Sequence, residues 1–238
     1  MLNIKNEYID NKGNNYNIRN ICLDDKSDMM NLGKYLTETK RELGYFYSST
    51  DNLTEGVYIY QSNYDPTKIL RIYKDWINYK YVSHNDVELI SQLQNLQKNI
   101  KLTEFPTGII TLDNYVVGQE MKYYEGYETL SKLNNGRNII YYYKQLLNIL
   151  KELENFGIIY TDIHSKNFMV KDKDVKLIDF ENDSIKLKYG KVLYSDMINL
   201  LKFMINSMNE KFNINFKLDK SSTLSEVEEE IMIKTKTL

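Results

Sequence analysis

Asp162, His164 and Asn167 lie within one six-residue stretch, and Asp179 follows 17 positions after Asp162. Two carboxylates and an amide are hard oxygen donors, the types that oxygen-ligand metal chemistry uses. His164 adds an imidazole that can donate or accept a hydrogen bond. Asp and Asn also populate turns, because their short side chains bond nearby backbone, so turns beside a hairpin are the plainer reading of YTDIHSKN and LIDFEND.

The rest of the composition removes competing chemistries. One cysteine, Cys22, forms no internal disulfide, and one cysteine with two distant histidines, His84 and His164, cannot complete a four-ligand zinc site. Lys and Arg number 31 against 33 Asp and Glu, a net charge of −2, so no basic excess points to nucleic acid or an anionic membrane. Alanine is absent and 21 residues are tyrosine, a bias toward AT-rich codons before it is chemistry. No apolar run reaches membrane-spanning length and the first residues lack a signal-peptide pattern, which predicts a cytoplasmic protein. A length of 238 residues allows one domain or two small lobes sharing a cleft.

The elements that must position these residues follow from periodicity. NKGNN reads as a hairpin turn and SDMMNLGKYLTE, from Ser27, as a helix, together an extension over residues 1–39. LGYFY, GVYIY and KILRIY read as an antiparallel meander. DVELISQLQNLQKN places Val87, Leu89, Ile90, Leu93 and Leu96 at helical spacing, and GIITL with YVVGQEM forms a hairpin around Asp113-Asn114. NIIYYYKQLLNILKELENFG is a long apolar-striped helix stopped at Gly157. FMV and VKLIDF flank the turn KDKD, SDMINLLKFMINSMN is a helix started by Ser195 or Asp196, and LSEVEEEIMI is a third. KSST and the closing KTKTL are the expected mobile places.

YTDIHSKN and DFE, in that order after a long helix, a glycine and two apolar residues, resemble the catalytic loop and metal motif of the protein-kinase-like superfamily. YVVGQEMKYYEGYETL resembles that family's fifth strand and hinge. The resemblance spans roughly residues 40–210 in linear order. It implies an α+β bilobal fold: a small antiparallel-sheet N-lobe with one helix over residues 40–121, and a hinge with a shortened, mainly helical C-lobe over 122–238. It further implies ATP and Mg²⁺ (or Mn²⁺) as cofactors and a hydroxyl-bearing substrate, with no nucleic-acid or membrane partner.

By the same resemblance Asp162 orients or deprotonates the acceptor hydroxyl, His164 assists near the γ-phosphate, and Asn167 and Asp179 hold the metal. Met121 is the gatekeeper, and the backbone of Lys122, Tyr123 and Tyr124 binds adenine. Arg71 or Lys74 grips the phosphates, either one pairing with Glu88, while Asp196 is a buried brace for the catalytic loop. The phosphate-covering loop keeps Gly56 but lacks the family's other glycines, with Ser48, Ser49 and Thr50 in their place.

Tyr160 and Thr161 replace the His-Arg before the catalytic Asp, Glu181 replaces a glycine, and only 17 positions separate Asp179 from Asp196. These departures predict an enzyme not switched by loop phosphorylation. Only 38 positions separate Tyr124 from Asp162, where small-molecule kinases of the aminoglycoside type usually insert extra helices, so the resemblance implies Ser or Thr of a protein as acceptor. A small-molecule kinase, suggested by the D-x-H-x-x-N pattern, and a pseudokinase that binds nucleotide without turnover are the alternatives.

Overall fold

The computed structural model describes residues 3–25, 27–36, 57–73, 84–180, 184–187 and 191–235. The chain is α+β and divides into two compact units, residues 1–98 with 105–125 and residues 99–104 with 126–238. The expected LGYFY strand, Ser48 to Thr50, Gly56, Lys74 and Glu181 lie outside the described residues.

The first unit contains β1 (Asn3–Lys5), β2 (Tyr8–Ile9), β3 (Asn15–Tyr16), β4 (Asn20–Leu23), α1 (Asp28–Leu32), β5 (Gly33–Tyr35), β6 (Val57–Ser62), β7 (Lys68–Tyr73), α2 (His84–Gln97), β8 (Gly108–Leu112) and β9 (Tyr115–Lys122). Seven strands form one sheet in the order β1-β4-β8-β9-β7-β6-β5. The β8–β9 hairpin closes through Asp113 (φ 51°) and Asn114 (φ 65°), two successive left-handed residues whose twist suits a tight hairpin. Val87, Ile90 and Leu93 of α2 are fully buried, and Val87 and Ile90 pack with Tyr8, Ile18, Ile109 and Val116 on one side of the sheet. Fully burying each such side chain stabilises a fold by about 1.5–3 kcal/mol relative to leaving it exposed.

Two expectations for the N-terminal segment are corrected. The helix from Ser27 ends after little more than a turn at Leu32, and β5 follows in antiparallel register with β6. Gly33 explains the switch: a Cβ there would stand 2.6 Å from the Cβ of Tyr60, so the close strand contact needs glycine. The segment is also an integral part of the sheet, since β4 pairs with β8 in parallel and the Thr111 hydroxyl donates to Asn20 Oδ1 at 2.7 Å.

The second unit contains β10 (Glu128–Thr129), α3 (Ile139–Asn155), β11 (Ile159–Tyr160), β12 (Phe168–Lys171), β13 (Asp174–Leu177), β14 (Ile185–Lys186), α4 (Lys191–Lys211) and α5 (Leu224–Thr235). The apolar stripe of α3 is its core, from Ile139 through Tyr143, Leu146 and Leu150 to Leu153. Gly157, at φ 72°, supplies the left-handed residue beyond the helix end. The Phe168–Leu177 hairpin is as its sequence predicts, with β10 added on its outer side. KSST is not loose: Ser221 is buried and its hydroxyl donates to Glu230.

The helix expected to start at Ser195 or Asp196 begins at Lys191 instead. No helix among the described residues is long and apolar enough to cross a membrane.

Candidate functional site

The turn between β11 and β12 gathers the chemistry. Tyr160 ends β11, which is held antiparallel to β14, and the Thr161 N–H donates to Ser184 O at 2.7 Å. The chain then runs irregularly through Asp162 and His164, turns at Ser165–Lys166 with the Asn167 N–H donating to His164 O at 3.0 Å, and enters β12. Beyond the β12–β13 hairpin it returns beside the same turn, where the Ile178 N–H donates to Asn167 O at 2.9 Å. Asp179 is thereby brought to Asn167, and its backbone sits at φ 71°, a region non-glycine residues seldom occupy.

Asn167 is buried and is the centre of the cluster. Its Nδ2 lies 2.8 Å from Asp162 Oδ2, 3.0 Å from Asp162 O and 2.9 Å from the Tyr160 hydroxyl. Oδ1 in that place would face a carboxylate, so the network fixes which end of the amide points inward. His164 Nε2 stands 3.4 Å from the same Oδ2 of Asp162. The Asp162 carboxylate is 44% exposed, and among the described residues its Oδ1 accepts no hydrogen bond. The hydrogen bond from His164 holds its pKa below the ordinary aspartate value; burial opposes this, while the charge of His164 and the bond from Asn167 add to it. Asp162 is therefore an ionised carboxylate with one oxygen anchored and one facing outward.

A scan against protein-family models finds no match for this chain, and a search of curated proteins finds none.

Among the described residues no cluster of three or more His, Cys, Asp or Glu could hold a metal by protein ligands alone. The donors present do fit Mg²⁺, which keeps several waters and binds through one or two protein oxygens plus substrate phosphates. Asn167 donates only through Nδ2, which leaves Oδ1 for a cation, and Asp179 follows Ile178, whose N–H donates to Asn167 O, so a second oxygen-bearing side chain starts from the adjoining loop.

The remaining site residues are distributed differently. Arg71 of β7 is buried and lies opposite Gln119, while Ile69 lies opposite Met121. Cross-strand partners share a face and alternate residues repeat it, so Arg71, Gln119 and Met121 stand on one side of the sheet. That is the side of Ile109 and Tyr73, whose hydroxyl accepts from Gln119 Nε2 at 2.9 Å, and α2 packs there. Lys122 is exposed with its ammonium 6.0 Å from the Tyr124 ring, and Tyr124 is buried.

Three expectations are corrected here. The Tyr123 N–H donates to Thr67 O at 2.7 Å, continuing the β7–β9 pairing, so it is not available to adenine. Glu88 is exposed on α2, and its carboxylate accepts from Gln92 one turn on rather than pairing with Arg71, because the buried face of the helix is taken by Val87, Ile90 and Leu93. Asp196 is exposed and braces nothing among the described residues: Met197, Ile198 and Leu201 take the buried stripe of α4, which turns position 196 outward.

Tyr160 is the residue whose role the sequence left unread. It stands out there only as a substitution in a motif. Its apolar neighbours Ile158 and Ile159 mark it as core, and nothing local signals that its hydroxyl meets Asn167.

Proposed function

We propose that this chain is an ATP-dependent phosphotransferase that moves the γ-phosphoryl group of Mg-ATP to a hydroxyl acceptor, Ser or Thr of a protein. The observation that carries the reading is the Asp162 carboxylate, anchored through Oδ2 by Asn167 and His164 and open at Oδ1. An ionised carboxylate so held can accept the hydrogen bond of an alcohol without moving, which is what orienting a nucleophile requires.

In the proposed reaction the acceptor hydroxyl bonds to Asp162 Oδ1, its oxygen forms the new P–O bond, and the bond from γ-phosphorus to the bridging oxygen of ADP breaks. The hydroxyl proton passes to Asp162 and ADP leaves with the bond's electron pair. His164, 3.4 Å from Oδ2, keeps the carboxylate ionised until then. Asn167 Oδ1 and the Asp179 carboxylate would hold the metal, which neutralises phosphate charge when bound. Arg71 would meet phosphate through its planar fork. The order of elements supports the reading too, with a helix inserted between the second and third strands of β6, β7, β8 and β9.

The test is incubation of the full chain with Mg²⁺ and γ-labelled ATP. Label on this protein or on an added protein, lost in Asp162→Asn and Asp179→Asn, is expected. Label only on small metabolites would move the acceptor class to small molecules, and nucleotide-induced thermal stabilisation without transfer would reduce the chain to a binding module.

A further inference from the structure

We infer that Tyr160 is a positioning residue, whose buried hydroxyl sets the Asn167 amide and the 178–179 backbone in place for a metal-bound nucleotide. The inference rests on the phosphotransferase reading and adds a residue to it.

Tyr160 is fully buried, with its ring edge-on to Phe168 and Phe180, both at 6.4 Å between centroids. Its backbone is fixed by the β11–β14 pairing. The hydroxyl cannot be repositioned without opening that core. It stands 2.9 Å from Asn167 Nδ2, 3.1 Å from Ile178 O and 3.3 Å from Asp179 O. A phenol has one proton and can also accept. Here the proton is shared between the two carbonyls, and a lone pair takes an N–H of Asn167.

Two consequences follow for the proposed metal donors. The two Nδ2 protons of Asn167 are divided among the Tyr160 hydroxyl, the Asp162 carbonyl and the Asp162 carboxylate, so Oδ1 is turned outward before any ligand arrives. The segment carrying Asp179 is held at both of its carbonyls by the same hydroxyl, which supports the left-handed conformation at φ 71°. One side chain thus couples the two loops that supply the metal donors. Such outer-shell partners orient the ligands they touch.

A tyrosine that only fills the core would lower stability without changing metal affinity. Tyr143 is the control: it is buried in the same unit, and its hydroxyl meets Asn209 Oδ1 at 2.9 Å and Ile205 O at 3.3 Å, away from the turn. The experiment measures Mn²⁺ binding to the full chain with ADP, from the electron paramagnetic resonance signal of free Mn²⁺, for wild type, Tyr160→Phe, Tyr143→Phe and Asp179→Asn. Tyr160→Phe is expected to weaken Mn²⁺ binding about 10–100-fold, with Tyr143→Phe at the wild-type value. Wild-type affinity in Tyr160→Phe alongside loss in Asp179→Asn would overturn the positioning role and leave the phosphotransferase reading standing. Absence of Mn²⁺–ADP binding in the wild type would overturn both. Should Tyr160→Phe not fold, the hydroxyl proton of Tyr160 in the wild type decides by NMR: as the donor to the Ile178 and Asp179 carbonyls it is expected to exchange slowly with solvent before Mn²⁺–ADP is added, and exchange of that proton at the free-phenol rate would refute the inference.

Discussion

Two carboxylates, one in each unit, are each surrounded by polar partners, and the partners are used in opposite ways. Glu120 of β9 is 1% exposed, and both of its oxygens are filled. Oε1 receives the Thr107 hydroxyl at 2.7 Å and Arg19 Nε at 3.1 Å, while Oε2 receives the Tyr64 hydroxyl at 2.5 Å. Burial first, then the hydrogen bond to Glu120, pushes the Tyr64 pKa upward, so its hydroxyl remains a donor. Asp162 is anchored through one oxygen only and keeps the other toward solvent. A buried charge must be saturated to be tolerated, whereas a working carboxylate needs a lone pair left for its substrate. The contrast separates a residue that holds a sheet together from the one proposed for chemistry, although both are acids in polar networks.

The sharpest way to break the comparison is to neutralise each acid. Asp162→Asn is expected to lower kcat by about 100–10,000-fold, the usual range for a lost general base, with little change in the thermal midpoint. Glu120→Gln is expected to do the reverse. Removing one partner of a buried charge network costs about 3–5 kcal/mol, seen as a lower urea midpoint, with activity per folded molecule retained. Activity lost with Glu120→Gln in fully folded protein would erase the distinction.

Arg71→Ala comes next, weakening nucleotide binding by about 10–100-fold, the value of a charge-assisted contact, as read by equilibrium titration with ADP. Lys74→Ala should weaken it less, and the opposite order would place the phosphate contact at Lys74.

How much of this was legible in the sequence depended on how local the deciding interactions are. Asp113-Asn114 and KDKD announced their hairpins, because turn conformation is set by the residues in the turn. The stripe of α3 announced a buried helix for the same reason. The pairing of Asn20 with Ile109 was illegible, since a parallel partner lies far along the chain and leaves no mark on either strand. Asp162, His164, Asn167 and Asp179 were singled out through the resemblance of their motifs, since type and spacing alone also fit turn residues, and all four lie on the loops around one turn. Which residues α2 and α4 turn toward the core was not legible in full, and Glu88 and Asp196 fell on the outer faces because apolar neighbours claimed the inner ones.

Smaller effects sharpen the contrast through pH. Because the hydrogen bond from His164 holds the Asp162 pKa low, with burial opposing, Asp162 stays ionised below the usual aspartate range. The acid limb of kcat should therefore lie low, and His164→Gln should move it upward. The stability that Asp162 contributes is present above its unfolded pKa and is lost as pH falls through the lowered folded value.

Glu230 of α5 is a third case, saturated but near the surface. Burial would raise its pKa, yet the Ser221 hydroxyl and Lys234 bring it down from 4.5 to about 2. Its contribution is fully present above pH 4.5 and disappears as pH falls toward 2. The urea midpoints of wild type and Glu230→Gln should differ at pH 6 and converge at about pH 2; a constant gap would contradict that coupling.

The most direct measurement compares γ-phosphate transfer from Mg-ATP by Asp162→Asn and Glu120→Gln at equal concentrations of folded protein. Transfer near the wild-type rate in Glu120→Gln and a loss of about 100-fold or more in Asp162→Asn is the predicted result. Equal rates in the two variants, or transfer undiminished in Asp162→Asn, would contradict the assignment of Asp162 as the acid left open for chemistry.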